Sequence, residues 1–322
     1  MAQKQKALIT GSNGFVGGWL SELLIQRNFE VLCTDIQETN RYPDRGIYRK
    51  VDITHEEEMA GVVDDFQPDA LYHLAGVSYL PQADRSPKQS IDSNISGTLS
   101  VLDAVKSASP QSKVLLIGSS KEYNGSITSD GVSERKSPHP TNFYGITKYA
   151  AELLGLQYHR QFGLDIRCTR SFNHTGPGQS PRFVCSDWAQ QVAEIAGGRP
   201  DTSITVGEID VTIDFTDVRD VVAAYMAIIE EGKPGEVYNV CSGSGVSLNW
   251  ILDYLCNKSP VPVSVHYHDE KKRNYQSNKK IIGSHAKLTG DTGWTPHIPF
   301  EQTLDDLYKW WLQQLQKNPT GN

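Results

Sequence analysis

The chain has 322 residues, of which 38% are hydrophobic, and a formal net charge of −7. This length can bury a large core, as one large or two closely packed domains. The negative charge argues against nucleic acid as a partner, and no apolar stretch approaches the roughly 20 residues that span a bilayer. The N-terminus leads directly into a predicted strand without a signal peptide, so we expect a cytoplasmic protein.

The first predicted elements are a strand, a glycine-rich turn and a helix. Residues 6–10 are an apolar run, three glycines follow, and residues 19–26 place leucines on one side of a helix. Gly11 permits a tight turn, Gly14 lets backbone amides approach a pyrophosphate, and Gly17 lets the helix pack close to the strand. This pattern predicts a dinucleotide-binding turn. The expected cofactor contacts are Gly11, Asn13, Gly14, Phe15, Val16 and Gly17.

The second predicted strand, residues 30–34, ends on Asp35. A carboxylate about 20 residues beyond such glycines holds the ribose hydroxyls of the adenosine. It would repel a 2′-phosphate, so Asp35 favours NAD over NADP, although Arg41 nearby would admit NADP. The alternative role for Asp35 is to cap the loop beyond its strand.

Strands and helices alternate through about residue 170. The further predicted strands are 47–51, 70–73 and 113–118, and the further predicted helices are 55–66 and 90–107. This alternation predicts an α/β fold with a Rossmann-type doubly wound parallel sheet. We assign residues 1–170 to an NAD(P)-binding Rossmann domain that regains segments near 210–241. Residues 171–322 form mainly a smaller, discontinuous C-terminal substrate-binding portion.

Three polar residues can support a hydride transfer. Ser119 follows the predicted strand 113–118, and Tyr144 and Lys148 lie four residues apart in a helix-compatible stretch, so they share one helix face. We expect Lys148 to favour the phenolate form of Tyr144, and Ser119 to donate a hydrogen bond to the reacting oxygen. Tyr-x-x-x-Lys pairs also occur by chance. The glycine turn and Ser119 favour the catalytic interpretation.

Further motifs extend this pattern over nearly the whole chain. They are Gly11-x-x-Gly14-x-x-Gly17, Asp52-Ile53, His73-Leu74-Ala75-Gly76, Asn94, Ser119, Tyr144-x-x-x-Lys148 and Pro177. Together they resemble an extended short-chain dehydrogenase/reductase of the NAD-dependent epimerase/dehydratase family. Segments 171–179 and 214–220 resemble the branch that handles GDP-mannose derivatives, which includes GDP-4-dehydro-6-deoxy-D-mannose reductases and GDP-mannose 4,6-dehydratases.

The resemblance implies further site residues and an assembly. Expected additional cofactor residues are Asp52, Ile53, Leu74, Ala75, Gly76, Asn94, Tyr144 and Lys148, with Asn94 supporting the active-site lysine. Expected substrate-binding residues are Ser78, Ser120, Lys121, Asn173, His174, Arg182, Arg219 and Arg273. Asn173 and His174 could instead only satisfy the backbone of a Gly-Pro turn. The family often forms homodimers through the helices at 90–107 and 144–162.

Two departures from the family pattern concern the chemistry. Dehydratases of this class place an acid and a base just after the active-site Ser or Thr, where this chain has Ser120 and Lys121 and where Glu122 is one residue out of register. The arginine that commonly precedes Asp214 and binds phosphate is replaced by Ile213. Arg182, Arg219 or Arg273, with Lys271 and Lys272, would have to supply that charge.

The expected activity is therefore NAD(P)H-dependent reduction of the 4-keto group of a nucleotide-linked 6-deoxyhexose, with a GDP-hexose as substrate. The alternatives are an epimerase, a dehydratase that uses Glu122 or Lys121, and a non-catalytic cofactor-binding protein. No metal is expected, because the five cysteines lack metal-ligand spacing and His266 and His268 have no third ligand nearby.

Overall fold

The computed structural model describes residues 4–123, 131–268 and 280–317. The strands are β1 (Lys6–Thr10), β2 (Glu30–Asp35), β3 (Ile47–Lys50), β4 (Ala70–His73), β5 (Lys113–Ser119), β6 (Ile166–Ser171), β7 (Asn173–Thr175), β8 (Ser203–Val206), β9 (Thr212–Asp217), β10 (Val237–Val240), β11 (Gly245–Ser247), β12 (Ser264–Tyr267) and β13 (Lys280–Ile281). The helices are α1 (Phe15–Gln26), α2 (Glu56–Phe66), α3 (Leu80–Arg85), α4 (Pro87–Ile91), α5 (Gly97–Ala108), α6 (Phe143–Phe162), α7 (Val184–Ala196), α8 (Val218–Glu231), α9 (Leu248–Cys256), α10 (Ala286–Thr292) and α11 (Phe300–Lys317).

Seven parallel strands form the main sheet, in the order β10-β6-β5-β4-β1-β2-β3. The strand order reverses between β1 and β4, and ligands bind at the carboxyl ends of strands at such a switch point. Gly11 follows β1 with φ +72°, and a Cβ there would lie 2.7 Å from the Ala75 nitrogen. The two strand ends therefore approach each other closely at the expected cofactor crevice.

Helices cover both faces of this sheet, which confirms the predicted Rossmann-type α/β fold. On one face, Leu20 and Leu24 of α1 and Tyr225 of α8 pack over the buried strands. On the other face, Met59 of α2 and Val105 of α5 do so. The central strands β1, β4 and β5 are apolar along most of their length because both of their faces are buried.

The remaining elements form a smaller unit beside the carboxyl ends. The strand β9 pairs with β7, β11 and β13, and β8 pairs with β12. α7, α9 and α11 enclose a separate core that includes Trp188, Phe215 and Leu304. Between these segments the chain returns to the main sheet through β10, which pairs with β6. Within residues 4–123, 131–268 and 280–317, no helix is long and apolar enough to cross a bilayer.

The helix expected at 90–107 differs from the prediction in one respect. α4 and α5 are joined by a π-helical turn, Asp92–Ser96, which has one extra residue per turn. Asn94 lies inside it and is only 1% exposed. The wider turn places the Asn94 side-chain amide in the interior of the protein. Asn is a poor helix former, and here its amide can form hydrogen bonds to neighbouring segments.

Candidate active site

The glycine turn fits a dinucleotide pyrophosphate. A Cβ on Gly17 would lie 2.7 Å from the Gly11 carbonyl oxygen and from Ser12, so only glycine permits this close packing. Gly14 is the N-cap of α1, and the first backbone N–H groups of a helix have no intrahelical partner. They face the end of the strand, where a pyrophosphate can accept their hydrogen bonds.

The side chain of Asn13 forms hydrogen bonds within the protein, to the loop after β2. Its amide nitrogen donates to the Thr39 carbonyl at 2.9 Å, and its amide oxygen accepts from the Arg41 backbone at 2.8 Å. Because these bonds occupy a buried amide, Asn13 holds the loop after β2 against the glycine turn. Val16 is half-buried and packs against the core of the sheet, and its contact with a cofactor stays a prediction.

Asp35 ends β2 beside the same turn. Its carboxylate accepts a hydrogen bond from the Asn13 backbone N–H at 3.1 Å and another from Gln37 N–H at 3.2 Å. The second bond is the loop cap considered above, and the first places the carboxylate against the phosphate-binding turn. The loop cap is therefore present, and ribose binding by Asp35 stays a prediction.

The other predicted cofactor residues line the neighbouring strand ends. Asp52 accepts hydrogen bonds from the backbone and hydroxyl of Thr54, at 2.9 and 2.7 Å. Ile53 is buried against Gly97, where a Cβ would lie 2.5 Å from its Cδ1. Leu74 and Ala75 follow β4 and are half-buried, and Gly76 beyond them is exposed. These positions stay predictions for cofactor contact.

Asn94 is a positioning residue. Its oxygen accepts from Val77 N–H at 2.8 Å, and its nitrogen donates to the Val77 carbonyl at 3.1 Å and to Thr147 Oγ1 at 2.9 Å. A Cβ on Gly76 would lie 2.4 Å from the Asn94 oxygen. The buried amide thus joins the loop after β4 to the residue beside Lys148, and cofactor contact by Asn94 stays a prediction.

Ser119, Tyr144 and Lys148 meet at the end of β5. Asn142 caps α6 by accepting from Gly145 N–H at 2.8 Å, which sets the first turn that carries Tyr144. The Ser119 side chain lies close enough to the Tyr144 hydroxyl to lower the pKa of the phenol. Lys148 Nζ donates to the Ile117 carbonyl at 2.9 Å. The three predicted catalytic residues therefore converge on one buried place.

The electrostatics of this place differ from the prediction. Burial raises the pKa of Tyr144 to about 12, against the lowering effect of the Ser119 hydrogen bond. Burial also lowers the pKa of Lys148 to about 8. The expectation that Lys148 favours phenolate is wrong for this structure, because desolvation dominates and the ammonium is directed at a carbonyl oxygen. Tyr144 keeps its proton at neutral pH and is an acid.

One hydrogen bond orients the Ser119 hydroxyl. Ser119 Oγ accepts from the Lys121 backbone N–H at 3.2 Å, so its own O–H is available to donate. The Ser119 side chain also lowers the pKa of Tyr144, as expected for a neighbour that stabilises a phenolate.

The residues after Ser119 present no carboxylate to the cleft. Ser120–Glu122 forms a 3₁₀ turn in which Ser120 is buried and Lys121 is half-buried. Glu122 is 0% exposed, and its Oε1 accepts from Ser119 N–H at 2.7 Å. Its carboxyl is directed into the protein. Glu122 is therefore unavailable as a base for elimination, and Ser120 and Lys121 stay predictions for substrate contact.

The predicted sugar-nucleotide segment lies against the start of α1. The ring of His174 stacks on Phe15 with centroids 6.3 Å apart, and Trp19 Nε1 donates to the Pro177 carbonyl at 3.0 Å. His174 Nδ1 is bonded to the Phe172 carbonyl at 3.0 Å, and burial lowers the pKa of this histidine. The Phe15–His174 stack and the Trp19–Pro177 hydrogen bond were not apparent from the sequence, because each joins positions more than 150 residues apart. They place Asn173 and His174 next to the phosphate turn.

The predicted phosphate-binding cations have different surroundings. Arg219 forms two bonds to the Asp217 carboxylate, at 2.9 and 2.7 Å, and lies 2.9 Å from Asp306. Its charge is already compensated, so its assignment loses physical support. Arg182 is exposed just before α7. Arg273 lies outside the described residues, as do Lys271 and Lys272, and Ser78 is exposed in the loop after β4.

A switch-point crevice with a glycine cradle, a Ser-Tyr-Lys set and a Rossmann sheet defines a short-chain dehydrogenase/reductase, and the protein is an enzyme of this NAD(P)-dependent superfamily. The family model described as GDP-mannose 4,6 dehydratase matches residues 8–307, and the chain belongs to this family.

Three relatives agree with this family membership. The chain is 32% identical to a GDP-6-deoxy-D-mannose reductase of Pseudomonas aeruginosa, over 97% of this chain and 99% of that one. It is 26% identical to a GDP-6-deoxy-D-talose 4-dehydrogenase of Aggregatibacter actinomycetemcomitans, over 89% and 91% of the two chains. A solved structure described as RMD from Pseudomonas aeruginosa complexed with NADPH superposes with a TM-score of 0.81 at 31% identity, covering 97% of this chain and 100% of that one.

Proposed function

We propose that the protein reduces the 4-keto group of GDP-4-dehydro-6-deoxy-D-mannose to give a GDP-6-deoxyhexose. The observation that carries this proposal is the inward direction of the Glu122 carboxyl, with Ser120 and Lys121 in place of an acid–base pair. Elimination of water needs such a pair, and reduction of a ketone does not. The similarity to a reductase of a GDP-linked 6-deoxy sugar supports the same conclusion.

The residues divide the reaction between binding and proton transfer. The glycine turn, Asp35 and Lys148 would hold a nicotinamide dinucleotide, which supplies the hydride when it is bound in reduced form. Tyr144 donates its proton to the oxygen that becomes the alcohol. Ser119 stabilises the phenolate that this transfer leaves behind, and the Lys148 cation lies in the same buried pocket.

A substrate panel tests this proposal against its rivals. With the 4-keto sugar and reduced cofactor, we expect one cofactor to be oxidised for each sugar consumed. With GDP-mannose and oxidised cofactor, we expect no ultraviolet-absorbing keto product. An epimerase would form product without net oxidation of cofactor, and a dehydratase would form the keto sugar from GDP-mannose. Either of these results would replace the proposal.

We further propose that Asp35 favours NADH over NADPH, although the related reductase structure contains NADPH. A 2′-phosphate close to the Asp35 carboxylate would add like-charge repulsion, whereas Arg41 lies in the loop that Asn13 holds nearby. Asp35→Asn should raise the ratio of kcat/KM for NADPH to that for NADH by about tenfold, or roughly 1.4 kcal/mol. Arg41→Ala should move this ratio in the opposite direction. An unchanged ratio in Asp35→Asn would show that the carboxylate does not face the ribose.

We also propose a homodimer formed through α6 and its neighbour α5. One face of α6 carries three exposed apolar side chains, those of Phe143, Ile146 and Leu153. Ile91, at the end of α4 and shortly before α5 in the chain, is exposed as well. Ile146→Glu should convert a dimer into a monomer in light scattering. Ile25→Glu on α1 also changes an exposed isoleucine, outside the proposed interface, and should leave the mass unchanged. A monomeric parent protein would contradict this proposal.

A further inference from the structure

A cluster of three charged residues lies buried directly behind Ser119. Glu122 is 0%, Glu152 3% and Arg170 5% exposed. Arg170 binds Glu152 in a bidentate manner, with Nε and Nη2 donating at 2.8 and 2.7 Å. Its remaining terminal nitrogen donates to the Tyr123 hydroxyl at 2.9 Å. The guanidinium is thus occupied by Glu152 and Tyr123.

If Glu122 were an ionised carboxylate, one of its two oxygens would have no hydrogen-bond donor among the described residues. Oε1 accepts from Ser119 N–H, but Oε2 is buried and, within the described part of the chain, has no donor. Arg170 Nε lies 3.4 Å from Oε2, yet its single hydrogen is given to Glu152. The group that does contact the Glu122 carboxyl is the Glu152 carboxyl. Two carboxylates cannot bond to each other unless one carries a proton.

The charges of Glu122, Glu152 and Arg170 also favour one proton on the two carboxyls. Taken by themselves, two ionised carboxylates and one guanidinium would leave one negative charge without a directly bonded cation, which is costly in a site from which water is excluded. One shared proton makes the cluster neutral. The other groups that face Glu122 are Tyr144 and Lys148 of α6 and, near both carboxyls, Cys168 of β6. Lys148 already donates to Ile117 and does not reach the orphan oxygen.

We propose that Glu122 is a neutral carboxylic acid that donates its proton to Glu152 and, through its other oxygen, holds the Ser119 backbone in place for catalysis. Gly118 is adapted to this arrangement, since a Cβ there would lie 2.4 Å from Glu122 Oε1. Burial, followed by the neighbouring Glu152, raises the pKa of Glu122 well above its usual range, against the lowering effect of the Ser119 N–H.

This arrangement has a consequence for the proton donor. An ionised Glu122 would raise the pKa values of both Tyr144 and Lys148. A neutral Glu122 therefore leaves the pKa of Tyr144 lower, so that Tyr144 is a better acid. Oε1 of the neutral Glu122 still accepts from Ser119 N–H and fixes the turn after β5. This consequence for catalysis rests on the proposed reductase function, whereas the protonation state of Glu122 does not.

The first test measures the melting temperature against pH and needs no substrate. Because the folded state of the parent protein binds a proton on Glu122 that the unfolded state releases above its ordinary pKa of 4.5, the parent should lose stability as the pH rises towards the folded pKa. Glu122→Gln keeps the same shape and hydrogen bonds without this proton. The melting temperature of Glu122→Gln minus that of the parent should therefore increase as the pH rises from 5 to 9. A difference that is constant with pH would overturn the proposal.

Glu152→Gln is the matched variant. It removes the ionised partner of Arg170, so it should lower the melting temperature or prevent folding, whereas Glu122→Gln should do neither. The reverse order of stability would assign the proton to Glu152 and overturn the proposal. For the positioning role, Glu122→Leu should reduce kcat on the order of tenfold or more, and Glu122→Gln should restore most of it. Equal kcat losses in both variants would contradict that role, and the pH dependence would still report the protonation state.

Discussion

Tyr144→Phe should reduce kcat for ketone reduction by about 10²- to 10⁴-fold, the usual contribution of a positioned general acid. The phenol O–H is the proton donor of the proposed reaction, and the ring alone keeps the packing against Val77 and Ala83. The cofactor should therefore still bind, with its dissociation constant measurable by fluorescence titration. The loss should appear in kcat rather than in cofactor affinity.

Tyr149→Phe on the same helix is the control for this substitution. It also removes one phenol hydroxyl from α6, and the structure gives that residue no part in the site. Its kcat should match that of the parent protein. Normal turnover by Tyr144→Phe would mean that another group donates the proton, and the mechanism would fail.

Lys148→Met should lower kcat/KM for the reduced cofactor by about 10²-fold, because it removes a buried cation that is charged at neutral pH. The parent profile of this parameter should fall as the pH rises through about 8, where Lys148 loses its charge. The variant should lack that step. A variant that retains the same step would assign it to another group.

Stability provides an independent check on Lys148. Its folded pKa of about 8 lies below its ordinary value of 10.5, so the folded state binds the proton less well and the parent protein gains stability as the pH rises from about 8 to 10.5. Lys148→Met has no such dependence. The stability of the variant minus that of the parent should therefore fall over that interval, and a difference that does not change with pH would show that Lys148 is not desolvated.

The sequence was sufficient for the parts of the site that depend on local spacing. The glycine turn precedes α1 and Asp35 ends β2 as predicted, because a short turn between a strand and a helix leaves the chain little choice. Ser119, Tyr144 and Lys148 converge for the same reason, since one ends a strand and the others share a helix face.

Features that depend on distant packing could not be predicted. Arg219 was a candidate for phosphate binding, but Asp306, far away in sequence, helps to compensate its charge. The depressed pKa of Lys148 and the raised pKa of Tyr144 follow from desolvation, which spacing does not reveal. The inward direction of Glu122 also depends on partners from α6 and β6. From the sequence, Glu122 could only be seen to lie one residue away from the position where dehydratases of this class have their base.

The fate of a label carried by the cofactor tests the central claim most directly. With the 4-keto sugar and a reduced cofactor deuterated at nicotinamide C4 on the transferred face, the proposed reaction places deuterium on C4 of the product sugar. One equivalent of cofactor is oxidised, and the new hydroxyl proton comes from the Tyr144 side. A product without deuterium at C4, or one formed with no net oxidation of cofactor, would contradict reduction by this enzyme.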